Sequence, residues 1–361
     1  MSVRPQELNP AKLPLLFRKE FLLCNVKRGE TICLVTDLKT RPEYVQSAFA
    51  AADDLGAAIF ELKLNSPYST THIGGEQIFA TKGTMEAAES ADMVVVFHIP
   101  LGSEWMARAR ERGTRFLMIY DHPDDLERLM SPPGLKEACI YARDLVQNGK
   151  SMVIKSSAGT DFHCSLGKMT TSCQYGYSEE PGRVDHWGGG HFSTWPNIGS
   201  AEGTVVLQPG DCWILPYVRI VEDEVRLTIE KGVIRDIRGK VDAILLRQFF
   251  EAHRRSPDDD EPWHVSHLGW GLNPNAIQDQ LAVHGNDIER VGGTGRCWPG
   301  SFLFSTGPNN QAGGTNATTA HVDLPMFGCS VWVDDRQVID SGRLIDEKMI
   351  VPRQWSNLVA H

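Results

Sequence analysis

The string "HVDLP" places a histidine and an aspartate two positions apart at the start of an apolar segment. Side chains of an extended chain alternate between its two sides, so His321 and Asp323 are expected to point the same way and Val322 the opposite way. Two such side chains can bind one cation without any bend in the backbone. A further histidine, His267, lies in "WHVSHLGWGLNPN", just before a glycine-rich turn.

Two neutral imidazoles and one carboxylate on one face of a metal leave other coordination positions open. This arrangement suits non-haem Fe(II), which must bind both a substrate and oxygen. His267, His321 and Asp323 could form such a set of ligands. An alternative stays open at this point: His267 caps a turn, His321 hydrogen-bonds within a core, and Asp323 is an ordinary acid at a strand end.

The first third of the chain alternates between short β-branched runs and helical stretches. "ETICLVTD", "DMVVVFHI" and "RFLMIYD" are typical of strands, and helical segments lie between them. This alternation indicates βαβ units and a mainly parallel sheet. "SPPG" at 131–134 marks a turn or linker, after which a helix and many short strands follow.

These patterns predict an α/β protein with two domains. Residues 1–130 are expected to form an α/β domain around a mainly parallel βαβ sheet, and residues 131–361 a β-rich α+β domain that binds the metal and carries the catalysis. The length of 361 residues agrees with two domains of ordinary size.

Composition and absent motifs narrow the function further. The net charge of −10 argues against nonspecific binding to nucleic acid or anionic membranes. No apolar run approaches membrane-spanning length, and the eight cysteines form no C-x-x-C, which favours thiols in a cytoplasmic protein. No G-x-G-x-x-G follows the first strand and no H-E-x-x-H occurs, so a dinucleotide site and a zincin site are not expected.

Long strings of the sequence resemble the 2,5-dihydroxypyridine 5,6-dioxygenases of bacterial nicotinic acid breakdown, over nearly the whole chain. The similarity is densest in "SAGTDFHCSLG", "YGYSEEPGRVDHW", "TWPNIGSAEGTVVL", "VSHLGWGL", "GSFLFSTGPN" and "HVDLP". In that family the iron ligands are a histidine in the S-H-[IL]-G-W-G string and the His and Asp of H-x-D. They fall on His267, His321 and Asp323, the set that the spacing also suggests.

The resemblance implies a reaction and its partners. The implied activity is Fe(2+)-dependent, extradiol-type opening of 2,5-dihydroxypyridine between ring carbons 5 and 6, which gives N-formylmaleamate. The partners would then be a small hydroxypyridine and O2, with no nucleic acid and no membrane. Since enzymes of this kind are often symmetric oligomers, a homo-oligomer is expected.

Ring opening needs a group that takes a proton from the substrate and returns it, and histidine is the natural choice at neutral pH. His186, in "VDHW", is the first candidate, and the resemblance also places an active-site histidine there. His98 is the second, because it ends the strand "DMVVVFHI", where parallel-sheet proteins often carry functional groups. An interface histidine with no catalytic role is the alternative for His98.

Four further residues are predicted to bind the substrate. Ser305 and Thr306, in "FSTGPN", resemble the family's pocket wall, although a strand end turning into a loop is the simpler alternative. Phe97 precedes His98, and Gln174 stands in "CQYGY", where family members carry glutamate. If that glutamate orients a proton-transfer histidine, the neutral Gln174 indicates an altered rate or a different hydroxylated ring.

The wider relatives of these dioxygenases resemble the M29 metallo-aminopeptidases, which hold two metals with two glutamates, a histidine and a final H-x-D. Glu202 matches the first glutamate, but His267 stands at the second, and no separate histidine matches. A site with fewer carboxylates fits one redox metal better than two Lewis-acid metals. The aminopeptidase is therefore the alternative enzyme, and a binding protein that lost the metal is a third interpretation.

Overall fold

The structure is a computed structural model, and it describes residues 10–64, 82–97, 104–215, 217–277 and 295–353. Its helices are α1 (Leu13–Leu23), α2 (Pro42–Leu55), α3 (Lys82–Glu89), α4 (Glu104–Glu111), α5 (Pro123–Arg128), α6 (Leu135–Gln147) and α7 (Val241–Ala252).

The strands follow in chain order. They are β1 (Thr31–Thr36), β2 (Ala58–Lys63), β3 (Met93–Val96), β4 (Arg115–Met118), β5 (Ser151–Ser156), β6 (Asp161–Ser165), β7 (Thr171–Gln174), β8 (Val184–His186), β9 (His191–Thr194), β10 (Glu202–Leu207), β11 (Cys212–Trp213), β12 (Arg219–Ile220), β13 (Val225–Glu230), β14 (Val233–Gly239), β15 (Val265–Trp270), β16 (Phe302–Thr306), β17 (Val322–Met326), β18 (Cys329–Val333), β19 (Arg336–Asp340) and β20 (Arg343–Leu344).

The chain separates into two compact units. The first contains residues 1–131 and 174–189, and the second contains residues 132–173 and 190–361. The division drawn from the sequence had one boundary, between residues 130 and 131, and placed 174–189 in the second domain. These residues lie in the first unit because β8 pairs in parallel with β4.

The first unit is built on a five-stranded parallel sheet with the order β2-β1-β3-β4-β8. Alternate residues of β1 enter two different cores: Ile32 and Leu34 pack in one cluster, Cys33 and Val35 in another. A strand covered on both faces must be apolar at every position. This is why β1, β3 and β4 appear in the sequence as mainly apolar runs.

A buried acid lies in helix α1 of this unit. Glu20 is 0% exposed, its Oε1 lies 3.9 Å from the Cys24 thiol, and its Oε2 has no hydrogen-bond partner among the described residues. Burial raises the pKa of Glu20 well above its usual value, and the negative charge of Asp185 raises this pKa further, while the Cys24 thiol opposes the shift. We conclude that the folded chain holds the Glu20 proton more tightly than the unfolded chain does.

We therefore predict that Glu20→Gln weakens the pH dependence of folding stability. A raised folded pKa contributes stability that is fully present below about pH 4.3, the usual glutamate pKa, and that is lost as the pH rises towards the folded pKa. Over that range the wild type should lose up to about 1.4 kcal/mol of unfolding free energy per pH unit relative to the variant. Urea unfolding at several pH values measures this difference.

The matched control for this prediction is Glu137→Gln, which changes an exposed glutamate on helix α6. It should leave the pH dependence of the wild type unchanged. Parallel stability curves for the wild type and Glu20→Gln would show that Glu20 titrates normally in the folded chain.

The second unit is β-rich. Eight strands form a sheet with the order β14-β13-β10-β6-β5-β18-β19-β20, five form a sheet with the order β17-β16-β15-β9-β7, and β11 pairs with β12. Phe162 on β6 packs edge-on against Phe304 on β16, with ring centroids 5.8 Å apart, so apolar side chains join the two larger sheets. The predicted fold class, a parallel-sheet α/β part and a β-rich part, is confirmed.

Two further predictions concern the cysteine thiols and membrane-spanning segments. All eight cysteines are buried as thiols. None of the helices in the described part of the chain combines the length and the apolar character needed to span a bilayer.

Candidate metal centre

Three side chains of the second unit converge at one point. His267 Nε2 lies 3.4 Å from His321 Nε2, and each of these nitrogens lies 3.3 Å from Oδ1 of Asp323. All three residues are buried, and Asp323 is 0% exposed. The structure therefore brings together the three residues that the sequence predicts as metal ligands.

Three adjacent antiparallel strands position these side chains. His267 lies on β15, Asp323 lies on β17, and β16 pairs with both strands. The pairing of β15 with β16 shifts register between Val265 and Leu268, which gives His267 a local bulge. His321 immediately precedes β17 and points to the same side as Asp323, as the alternation of an extended chain predicts.

Two glycines allow these backbones to approach closely. A Cβ on Gly269 would lie 2.0 Å from the carbonyl oxygen of Phe192, on the neighbouring strand β9. Gly307 has φ +116°, and a Cβ there would lie 2.2 Å from the carbonyl oxygen of Ala320, next to His321. Only glycine fits at such positions. This accounts physically for the glycines of "SHLGWG" and "FSTGPN".

Backbone and hydroxyl groups orient the two histidines. His321 Nδ1 lies 2.8 Å from the carbonyl oxygen of Thr306. Because a carbonyl only accepts, Nδ1 carries the proton and Nε2 keeps a lone pair for a metal. Ser305 Oγ donates to the carbonyl oxygen of His267 at 2.6 Å, and the Trp195 ring meets the His267 ring edge-on at 5.5 Å.

The electrostatics of His267 and Asp323 favour the forms of these two side chains that bind cations. Burial lowers the pKa of His267 to about 3, with further lowering by His321 and Arg296, although Asp323 opposes the shift. Burial alone would raise the pKa of Asp323, but His321, His267 and Arg296 together hold it below its usual range. At neutral pH the site therefore offers a neutral His267 imidazole and an ionised carboxylate, which are the forms that bind metals.

An unsatisfied oxygen of the site indicates that a cation belongs there. Asp323 Oδ1, the oxygen that faces both imidazoles, is buried and has no hydrogen-bond partner among the described residues. Ligand atoms bound to one ion at about 2.0–2.1 Å lie about 2.8–3.4 Å apart, depending on the coordination number. The observed separations of 3.3 and 3.4 Å fit one ion held by two nitrogens and one oxygen.

The comparisons with known proteins point to one family. The family model described as 2,5-dihydroxypyridine 5,6-dioxygenase matches residues 12–346. This chain belongs to that family. The 2,5-dihydroxypyridine 5,6-dioxygenase of Pseudomonas putida strain KT2440 is 33% identical over 343 residues, which are 93% of this chain and 96% of the relative. The family is one of dioxygenases, so the predictions of an enzyme and of this family are confirmed.

Solved structures agree with the membership in the dioxygenase family. The structure of the dioxygenase from Pseudomonas putida KT2440 superposes with a TM-score of 0.89 at 32% identity, covering 95% of this chain and 99% of the relative. Wild-type AmpT from Thermus thermophilus, an M29 aminopeptidase, superposes with a TM-score of 0.64 at 13% identity, covering 93% and 99%. The predicted distant likeness to M29 aminopeptidases is therefore confirmed for the fold.

Other residues predicted from the dioxygenase resemblance lie in the first unit. His186 ends β8, opposite Met118 of β4, and its ring centroid lies 5.6 Å from that of Tyr120. Phe97 is buried and contacts Tyr44, while Gln174 is half-buried at the end of β7. His98 lies outside the described residues.

The Asp185 side chain bonds to backbone N–H groups, including that of His186, its neighbour in sequence. Its carboxylate accepts hydrogen bonds from the backbone N–H groups of Tyr175, Gly176 and His186 and pairs with Arg183. Successive side chains on a strand point to opposite faces, so neighbours in sequence seldom meet. Asp185 instead holds the turn that precedes β8.

Ser305 and Thr306 each bond to one of the three proposed ligands, His267, His321 and Asp323, which are called the triad below. The Ser305 hydroxyl and the Thr306 carbonyl each contact a proposed ligand, while Thr306 Oγ1 remains available for another partner. Glu202, matched to a glutamate of the aminopeptidases, accepts from the backbone N–H of Lys231 and is not part of the ligand group that His267, His321 and Asp323 form among the described residues.

Sequence reasoning did not identify Arg296. Its Nη1 lies 3.5 Å from Oδ2 of Asp323, and the residue is 7% exposed. In the sequence it stands in "GGTGRCW", a glycine-rich string with no strand or helix pattern. A general rule could have prompted a search for such an arginine, because a buried carboxylate usually has a cationic partner.

Proposed function

We propose that this chain is an Fe(II)-dependent, extradiol-type dioxygenase that opens 2,5-dihydroxypyridine between carbons 5 and 6 to N-formylmaleamate. The observation that carries the proposal is the convergence of His267 Nε2, His321 Nε2 and Asp323 Oδ1 within 3.4 Å of one another. A set of two histidines and one carboxylate is typical of non-haem iron oxygenases. The dioxygenase relative at 33% identity supports the ring-opening reaction.

The proposed ligands to iron are His267, His321 and Asp323. When bound there, Fe(II) would offer open positions to the ring and to O2 and would let electrons pass from the ring to O2. The Thr306 carbonyl keeps the proton of His321 on Nδ1, and Ser305 fixes the backbone of His267. These contacts orient the ligand nitrogens before any substrate enters.

The protein's own groups must also move protons and hold the ring. We propose that His186 takes the proton of a ring hydroxyl and later returns it, with His98 as the second candidate for this role. Ser305, Thr306, Gln174 and Phe97 are proposed to contact the ring. Thr306 Oγ1 suits this role, because it is buried and has no hydrogen-bond partner among the described residues.

The rival function is an M29-like metallo-aminopeptidase, which the fold match with AmpT favours. That match, at 13% identity, concerns the fold alone. Against the rival stands the ligand set, in which a histidine, His267, occupies the place that a glutamate holds in those peptidases. A single carboxylate among the three converging ligands suits one redox metal better than two Lewis-acid metals.

The experiment that tests the proposal is anaerobic reconstitution with Fe(II), followed by oxygen uptake with 2,5-dihydroxypyridine and other hydroxypyridines. With 18O2, we expect both labelled atoms in freshly quenched product, one at each former end of the broken ring bond. Label entering only from H2 18O, or hydrolysis of aminoacyl amides under nitrogen, would contradict the dioxygenase and favour the peptidase. Faster turnover of another hydroxypyridine would agree with the effect expected from Gln174.

Three properties stay predictions from the sequence. They are iron as the specific metal, the homo-oligomeric state and the cytoplasmic location. Metal analysis of the purified chain separates one iron per chain from two divalent metals, and light scattering measures the oligomeric state.

A further inference from the structure

The two oxygens of the Asp323 carboxylate face different partners. Oδ1 lies 3.3 Å from both imidazole nitrogens, whereas Oδ2 lies 3.5 Å from Nη1 of Arg296. We infer that Arg296 is a positioning residue that holds Asp323 so that a single oxygen, Oδ1, is presented to the metal. The inference rests on the proposed metal site and adds a reason why coordination positions stay open.

The backbone around Arg296 is held in place. The carbonyl oxygen of Cys297 accepts a hydrogen bond from the backbone N–H of Asn273 at 2.9 Å. A Cβ on Gly271 would lie 2.1 Å from the carbonyl oxygen of Trp298, so the two backbones pass in close contact there. The residues that follow Arg296 are anchored to the segment after β15. The backbone from which the Arg296 side chain extends is therefore fixed in position.

The backbone of Asp323 is held by the same neighbourhood. The backbone N–H of Ile214 donates to the carbonyl oxygen of Asp323 at 2.9 Å, and Ser305 on β16 pairs with Asp323 in register. A Cβ on Gly295, next to Arg296, would lie 2.6 Å from Cδ1 of Ile214. Ile214 therefore bonds to the backbone of Asp323 and also lies against Gly295, the residue before Arg296, so it links the chain segments that carry the two charged groups.

This arrangement has a chemical consequence. A carboxylate that can rotate is able to bind a metal through both of its oxygens, and it then occupies a position that a substrate or O2 would need. Arginine presents a planar, rigid fork of donors, so it can hold one carboxylate oxygen in a defined direction. With Oδ2 paired to Arg296, Asp323 offers one ligand atom.

The test uses the full-length chain loaded with Co(II), whose visible absorption weakens as the coordination number rises. In Arg296→Met, which keeps most of the volume and removes the donors, we expect the metal to stay bound and the absorption to weaken as Oδ2 joins the metal. After Fe(II) loading, kcat/KM for oxygen uptake with 2,5-dihydroxypyridine should fall by about 10–100-fold, the usual effect of losing an outer partner of a ligand.

Two variants make the result interpretable. Arg296→Lys keeps the charge but not the fork, so it should shift the spectrum in the same direction by a smaller amount, and it serves if the methionine variant does not fold. Arg219→Met removes an arginine whose partner, Asp242 at 2.8 Å, lies on helix α7, and it should leave the Co(II) spectrum unchanged.

The outcomes separate this inference from the proposed function. A folded Arg296 variant with the wild-type spectrum and kcat/KM overturns the positioning role, even if the wild type is a dioxygenase. A shifted spectrum in a chain that consumes no oxygen with hydroxypyridines supports the role of Arg296 and contradicts the proposed function. A wild-type chain that binds no Co(II) overturns both.

Discussion

Replacing Asp323 with alanine is expected to remove the metal and reduce oxygen uptake to background. Asp323 supplies the one carboxylate of the triad and is 0% exposed, with both imidazole nitrogens 3.3 Å from its Oδ1. Without it, two neutral imidazoles would have to hold a dication with no compensating negative charge. Metal analysis after gel filtration should find less than a tenth of the wild-type metal, as an order-of-magnitude expectation.

The control must separate loss of a ligand from loss of a buried carboxylate. Asp323→Asn keeps the shape of the side chain and should also lose the metal, with a smaller cost to folding. Asp211→Ala removes another buried aspartate of the same unit, which accepts from the backbone N–H groups of Gln208 and Phe327. It should destabilise the fold but keep the metal. Full metal occupancy in folded Asp323→Ala would rule out the triad.

Replacing His186 with alanine is expected to lower kcat by about 10²–10⁴, the usual contribution of a general acid–base residue. His186 is buried at the carboxyl end of the parallel strand β8, beside the ring of Tyr120. Functional groups often lie at such strand ends, and histidine ordinarily titrates near neutral pH. Stopped-flow oxygen uptake across pH 5–9 measures both the rate and the loss of one titrating group.

Metal content distinguishes this role from a structural one. His186→Ala should keep its iron, and 2,5-dihydroxypyridine should still perturb the iron spectrum, because the proposed ligands are His267, His321 and Asp323. His253→Ala, at the end of helix α7, serves as the control histidine and should keep the wild-type rate. A wild-type pH–rate profile in His186→Ala would move the proton-transfer role to His98.

The parallel sheet shows which strands an apolar pattern in the sequence predicts and which it misses. The strands β1, β3 and β4 follow the apolar runs in the sequence, because both faces of each strand enter a core. Strand β8 was not predicted within this sheet. It has three residues and pairs with β4, more than sixty positions earlier in the chain. So short a segment carries no periodic signal. The tertiary contacts around β8 determine which strand it pairs with.

The sequence by itself determined that His321 and Asp323 point the same way, because side-chain alternation is a local property of an extended backbone. It also determined the class of fold and, through its spacing and family motifs, pointed to His267 as the proposed third ligand. Only the tertiary structure decided that β15, β16 and β17 bring His267 to the other two residues, and that Arg296 faces Oδ2 of Asp323. Pairing between distant strands sets these contacts, and no local pattern encodes which buried charges will meet.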